Sequence, residues 1–296
     1  MKVAITGASG LIGTALSRSL TTGGHEVLRF VRRPAQDLAE IRWDPSGGHV
    51  DTDRLTGVDA VVHLAGAPIG PARWTPAHKR RIRDSRARGT RTLATSLAAM
   101  DSPPPRLLSG SAVGYYGATG ETAADEQSPA GSGFMADVVV DWESAAEPAE
   151  RAGISVAYPR SGVVLARSGG LLGTALPMFR LGLGARLGSG KQSMSWISLA
   201  DEVGALRFLL DHPDLKGPFN LCAPNPVSNA EYTAAVGRAV RRPAVLAVPG
   251  FALRAVLGGF ADEAALIDQR VLPDRLLKAG YAFEHDDLRA ALSDIL

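Results

Sequence analysis

Cysteine is almost missing: Cys222 is the only one in 296 residues. A single thiol allows no intramolecular disulfide and no cysteine cage for zinc. The six histidines (His25, His49, His63, His78, His212, His285) are scattered and form no HExxH-like pair, so no metal is expected. An excess of one charge is also missing. Lys+Arg 32 against Asp+Glu 30 gives a net charge of +2, which argues against a chain dominated by nucleic-acid or membrane electrostatics. No apolar stretch of about 18 residues spans a bilayer, and Met1-Lys2-Val3-Ala4-Ile5 enters a strand with no long apolar leader. The expectation is a soluble, cytoplasmic protein with a small-molecule partner and neither nucleic acid nor membrane. Lysine is scarce too, with 5 residues against 27 arginines.

What is present is an ordinary globular balance, 45% hydrophobic and 21% charged. At this size a fold buries roughly 75% of the surface that the extended chain exposes. Apolar runs predict strands near 2–6, 26–31, 59–64, 105–110 and 154–158. Helical patterns fall between them, near 11–23, 77–99 and 134–151. Ile12, Leu16 and Leu20 share one helical face, as do Trp142, Ala145, Ala146 and Ala149. Such alternation implies an α/β fold, a Rossmann-type doubly wound parallel sheet over 1–167. A smaller mixed α/β substrate lobe is expected over 168–296, packed on the first as one compact unit. Helices are expected there at 199–210, 229–241, 250–258, 261–269, 273–279 and 285–295, with a short strand at 219–221. The Gly-rich 182–191 stretch reads as a flexible segment able to close over a ligand. Trp196 reads equally as pocket lining or core.

The strongest motif is Thr6-Gly7-Ala8-Ser9-Gly10-Leu11-Ile12-Gly13, between the first strand and the first helix. Gly7 permits a tight turn, Gly10 lets the backbone approach a pyrophosphate, and Gly13 lets the helix pack closely on the sheet. The helix start offers N–H groups and a positive dipole end to phosphates. An NAD site usually carries an acid about 20 residues past the glycines. Here Phe30-Val31-Arg32-Arg33-Pro34 puts two arginines at that place. A guanidinium matches a phosphate in a bidentate fork, so Arg32, with Arg33, is expected to bind the 2′-phosphate of NADP (NADPH), with NAD less favoured. Solvated surface charge is the alternative. The strand Asp59-Ala60-Val61-Val62-His63 ends in Leu64-Ala65-Gly66, a small flat surface for a dinucleotide to lie across. His63 reads as a buried sheet residue. The basic run from His78 to Arg91 reads as the solvated face of a packed helix, since no aromatics interleave for base stacking.

These residues resemble the short-chain dehydrogenase/reductase superfamily in its extended, epimerase-like branch. The resemblance rests on the glycine turn, His63-Leu64-Ala65-Gly66, Gly89-Thr90, Ser111…Tyr116-Gly117 and Glu126-Gln127-Ser128-Pro129. It continues through Pro159-Arg160-Ser161-Gly162-Val163-Val164-Leu165 and Trp196-Ile197-Ser198…Asp201. The C-terminal stretches Asn220-Leu221…Ala223-Pro224-Asn225-Pro226-Val227…Asn229 and Arg242-Pro243…Val248-Pro249 resemble an atypical epimerase subgroup with a small C-terminal domain of unknown function. Most superfamily members move a proton with a Tyr and a Lys four residues later. Counting back from Glu143, those positions are Met135 and Val139, and no Tyr-x-x-x-Lys exists anywhere in the chain. The subgroup has Arg where an Asn is usual, here Arg86, and commonly a His where this chain has Ser198.

The resemblance implies an NADP-binding epimerase/dehydratase-like oxidoreductase with an atypical catalytic set, acting on a sugar nucleotide or another small carbonyl or hydroxyl compound. A catalytically reduced NADP(H)-sensing protein is the alternative. The implied catalytic set is Ser111, Tyr116 and Arg86, with wall packing an equal reading of the tyrosines. The implied cofactor contacts are Gly7, Ser9, Gly10, Leu11, Ile12, Gly13, Arg32, Arg33, Leu64, Ala65, Gly66, Arg86 and Leu165. A homodimer is expected by analogy with relatives.

Overall fold

A computed structural model describes residues 1–70 and 73–296. The first half alternates β1 (Lys2–Thr6), α1 (Leu11–Thr22), β2 (Glu26–Val31), β3 (Glu40–Asp44), β4 (His49–Val50), β5 (Ala60–His63) and α2 (Pro76–Ala98). Next come β6 (Arg106–Ser109), β7 (Ser111–Ala112), α3 (Phe134–Ser144), α4 (Glu147–Arg151), β8 (Ser155–Ser161) and β9 (Val163–Leu165). The second half holds α5 (Gly170–Arg180), β10 (Ala185–Leu187), β11 (Ser193–Met194), β12 (Trp196–Ser198), α6 (Leu199–Asp211) and β13 (Gly217–Leu221). It ends with β14 (Val227–Ser228), α7 (Asn229–Ala239), β15 (Leu246–Val248), α8 (Gly250–Leu257), α9 (Asp274–Lys278) and α10 (Leu288–Ile295).

Among the described residues the main sheet runs β13-β8-β6-β5-β1-β2-β3-β4, with β7 beside β8. Every pairing is parallel except β3 with β4. The strand order reverses direction between β1 and β5, the crevice where doubly wound sheets bind ligands. One sheet face packs Trp43, Leu93, Leu97, Ile154 and Tyr158 under α2 and α4. The other packs Ile5, Leu16, Leu20, Leu206 and Leu209 under α1 and α6. Strands buried on both faces are near-continuous apolar runs, which is why the sequence displayed them.

The chain after 167 returns to this sheet: α6 covers it and β13 pairs with β8. Buried Arg106 holds that return by donating to the carbonyls of Leu209 and Leu215, at 2.8 and 2.9 Å. Trp196 is core, fully buried, with Nε1 donating to Asn225 O at 3.0 Å. The Gly-rich 182–191 stretch is not a free flap, because β10 within it pairs with β15. The helix expected over 134–151 is two. Pro148 has no N–H for the carbonyl of Ser144, and Arg91 Nη2 takes that carbonyl at 3.2 Å. The helix expected over 261–269 is one π-helical turn, Ala261–Ala265. The hairpin-like pair of the five-residue β3 and the two-residue β4 went unforeseen.

The segment from 261 to 287 folds back over the sheet ends. Val271 bridges Ala124. Glu263 accepts from the N–H groups of Phe134 and Met135 at 3.0 and 3.1 Å, so it caps α3 from 129 residues away. Asp201 accepts from the N–H groups of Glu284 and His285, and His285 Nδ1 lies 3.1 Å from Ser198 Oγ. An imidazole thus reaches Ser198 from the far end of the chain. Its Nε2 meets Asp294 at 3.0 Å, and Glu284, His285 and Asp294 form a close group that holds one of the six histidines.

Candidate functional site

The glycine turn has the geometry its spacing implied. Gly7 has φ +68°, and a Cβ there would stand 2.8 Å from the Leu64 carbonyl carbon. A Cβ on Gly13 would stand 2.2 Å from the carbonyl oxygen of Gly7. Both positions therefore exclude a side chain, Gly7 through conformation and crowding, Gly13 through contact of the helix with the backbone of the turn at Gly7 and Ala8. α1 begins at Gly10 with no side-chain cap and no acidic residue in its first turn. Its first N–H groups face outward at the sheet crevice. Thr6 Oγ1 accepts from Leu64 and Ala65 N–H at 3.0 and 3.1 Å and meets His63 Nδ1 at 2.7 Å, tying the ends of β1 and β5 together. Burial pushes the His63 imidazole down to about 4, so it stays neutral.

A groove of about 1390 Å³ opens from this turn across β2. Gly7, Ser9, Gly10, Leu64, Ala65 and Gly66 line its floor. Its rim is strongly basic, with Arg29, Arg32, Arg33, Arg80, Arg81 and Arg88 against Glu40 and Asp84. Arg33 is already committed: Nη1 and Nη2 donate to the two oxygens of Glu40 at 2.7 and 2.6 Å. The Arg33 hydrogen bonds, then the Gln36 N–H, hold the Glu40 carboxyl down at about 2. Arg32 is exposed and makes no ion pair among the described residues. The basic run of α2 is a solvated face, as expected, and three of its exposed arginines, Arg80, Arg81 and Arg88, also border this groove. Ile12 packs its side chain into the apolar layer. Leu165 is fully buried in the cluster of Leu172, Phe179 and Trp196, so its side chain does not reach the groove, contrary to expectation.

Past β5 the surface changes character. Ser111 Oγ donates to Glu143 Oε1 at 2.6 Å. Arg160 clasps the same carboxylate, Nε to Oε1 and Nη2 to Oε2, both at 2.7 Å. Its Nη1 donates to the Tyr116 hydroxyl at 2.8 Å, and that hydroxyl donates to Asn220 Oδ1 at 2.8 Å. Asn220 Nδ2 donates to Leu272 O. Burial opposes the Arg160 charge, but the Glu143 contacts outweigh it and hold its pKa above the usual arginine value. Burial pushes the Tyr116 phenol up to about 12. Tyr116 is therefore held as a strut, accepting from Arg160 and donating to Asn220, which is nearer to the wall-packing reading of the two left open for it. Met135 and Val139 are buried and apolar.

Arg86 lies beside the β5 end. Nη1 donates to Ala67 O at 3.0 Å and to Ile82 O at 3.3 Å. The guanidinium stacks on Trp142, 5.1 Å from the ring centroid. Desolvation lowers its pKa to about 10, which leaves it charged at neutral pH. Sequence reasoning used Glu143 only as a counting mark and gave Arg160 no role. The signal was available: a Glu on the helix face that carries the missing Lys, and an Arg at the end of β8.

Strand order, glycine turn and groove together define a Rossmann-type protein of the extended short-chain dehydrogenase/reductase class. The sequence comparisons narrow this. The chain belongs to the NAD dependent epimerase/dehydratase family, whose model matches residues 3–222, and a domain of unknown function matches 248–295. It is 50% identical over 290 residues to the epimerase family protein Mb2239 of Mycobacterium bovis, covering 98% of this chain and 96% of that protein. The crystal structure of human epimerase family protein SDR39U1 (isoform2) with NADPH superposes with a TM-score of 0.90 at 35% identity, covering 100% of this chain and 99% of that one. A nucleoside-diphosphate sugar epimerase from Corynebacterium glutamicum superposes with a TM-score of 0.83 at 35% identity; this chain spans 58% of its length. Among the described residues no helix is long and apolar enough to cross a membrane.

Proposed function

We propose that the groove binds NADP(H) and that the chain is an oxidoreductase or epimerase for a small carbonyl or hydroxyl compound, of the sugar-nucleotide kind. The observation that carries this is the unpaired Arg32 beside an uncapped helix start whose glycine cradle a Cβ would fill. The structural relative crystallised with NADPH supports the same reading. On this reading the main-chain N–H groups of Ser9, Leu11 and Ile12 would hold the pyrophosphate, Gly10 donating instead to Gly7 O at 2.9 Å, and Gly7 and Gly13 permit the approach. Arg32 forks onto the 2′-phosphate, which favours NADP over NAD. Arg33 stiffens that edge through Glu40. Leu64, Ala65 and Gly66 form the floor, with Arg86 at its end. When bound, the nicotinamide supplies or accepts the hydride.

The proton falls to Ser111. It exchanges one with a substrate oxygen while Glu143, on the other side of the hydroxyl, accepts or restores it. Arg160 and Tyr116 position Glu143 and keep water out. The arginines of α2 serve the groove, with no nucleic acid needed to explain them. The test is calorimetric titration of nucleotide-stripped protein with NADPH and NADH separately. Tight NADPH with weak NADH is expected; no binding to either ends the proposal. A second reading, an NADP(H)-sensing protein without turnover, draws on the apolar pair Met135 and Val139. Hydride exchange between bound cofactor and a panel of sugar nucleotides separates the two.

A further inference from the structure

The adenosine side of the crevice lies over β2, so a dinucleotide crossing the switch point must lay its other half over β5 and β6. Four residues form one patch at those strand ends. A Cβ on Gly66 would lie 3.4 Å from Arg86 Cζ, and a Cβ on Gly110 would lie 3.2 Å from the Trp142 ring on which Arg86 stacks. Arg86 brings a full positive charge to this patch and makes no ion pair among the described residues. Two acids of the facing helix, next to Trp142, are paired with other arginines. Asp141 pairs with Arg83 at 3.1 Å, and Glu143 is clasped by Arg160. The nearest polar groups on Arg86 are two backbone carbonyls. Among the described residues, no carboxylate lies within ion-pair distance of this guanidinium.

We infer that Arg86 sets the redox preference of the bound cofactor, favouring the reduced, uncharged nicotinamide over the oxidised, cationic ring. The inference rests on the NADP(H) reading above. NADPH and NADP⁺ carry the same phosphates and differ in ring charge, so a fixed cation beside the ring repels one form and not the other. Such a site retains NADPH in preference to NADP⁺ and, by raising the bound potential, makes it the weaker hydride donor. It also contrasts with an epimerase cycle that must start from retained oxidised cofactor.

The experiment is a pair of equilibrium titrations, NADPH and NADP⁺, on nucleotide-stripped wild type, Arg86→Met and Arg86→Lys. Wild type should bind NADPH about tenfold more tightly than NADP⁺, which for a two-electron couple raises the bound potential by about 30 mV. Arg86→Met should bring the two affinities together, mainly by tightening NADP⁺. Arg86→Lys, which keeps the charge, should keep the preference. Equal affinities in wild type overturn the inference while leaving the groove reading intact. A uniform loss of both nucleotides in Arg86→Met also overturns it, because it makes Arg86 a phosphate ligand. Failure of wild type to bind either nucleotide removes both proposals. If Arg86→Met does not fold, the wild-type ratio and Arg86→Lys still decide.

Discussion

The two halves of the crevice are built on opposite principles. On the β2 side, recognition is main chain and shape: a glycine turn, an open helix start and an unpaired Arg32 on a wide, basic groove. On the β6 side, recognition is a closed side-chain chain, Ser111–Glu143–Arg160–Tyr116–Asn220, anchored to Leu272 O. The first half waits for an anion. The second has satisfied its own charges and hydrogen bonds internally, so its chemistry depends on the substrate displacing a contact already made. Where binding must be tolerant, backbone is enough. Where side chains do the holding, groups from five separate parts of the fold have to be brought together.

Breaking the closed half should have the largest effect. Arg160→Ala leaves half-buried Glu143 without its ion-pair partner and with only the Ser111 hydrogen bond, and stability should fall by about 3 kcal/mol or more. Urea denaturation measures this; a loss near zero would mean the network is decorative. Next, Gly13→Ala places a Cβ against the Gly7 carbonyl, so about 3 kcal/mol and most nucleotide affinity should go together. Unchanged affinity would show that the turn tolerates a displaced helix.

A third test probes charge hidden behind the network. Ser161 Oγ donates to Glu202 Oε1 at 2.6 Å, while the other oxygen is buried without a partner, and burial pushes the carboxyl up to about 7. The folded state thus holds a proton between about pH 4.5 and 7 that the unfolded chain releases. Stability falls as pH rises through that window and stays lower above it. Glu202→Gln should flatten this dependence and stabilise the protein at pH 8 by about 3 kcal/mol. Parallel pH profiles for wild type and variant would contradict it. The smallest effect belongs to the open half. Arg32→Asp should weaken NADPH by about 30-fold, roughly 2 kcal/mol, with little change for NADH. Equal losses would show that Arg32 does not read the 2′-phosphate.

The same contrast decides what the sequence displayed. β1, the glycine turn and α1 are contiguous, and each glycine answers a local steric demand, so their roles follow from spacing. Arg32 stands next to a strand end and is equally visible. Arg33 looked identical to it, and only the fold brings Glu40 seven residues on to occupy it. Tyr116 looked like an acid because its sequence neighbours fit; Arg160 and Asn220, 44 and 104 residues away, make it a strut. Short elements fared worst, since a π-helical turn and the two-residue β4 carry too few residues for periodicity to register.

The carboxylate of Glu263 on the first turn of α3 has a consequence for how the molecule is made. During synthesis the chain through β6 has its glycine turn, its basic rim and the strands that support them. The catalytic half still lacks the cap on α3, the Leu272 carbonyl that holds Asn220, and the Arg275 N–H on Glu126. All three arrive with the last 34 residues, from 263 to 296. A nascent chain stalled before residue 263 would carry the glycine turn and the basic rim without the contacts that fix α3, Asn220 and Glu126.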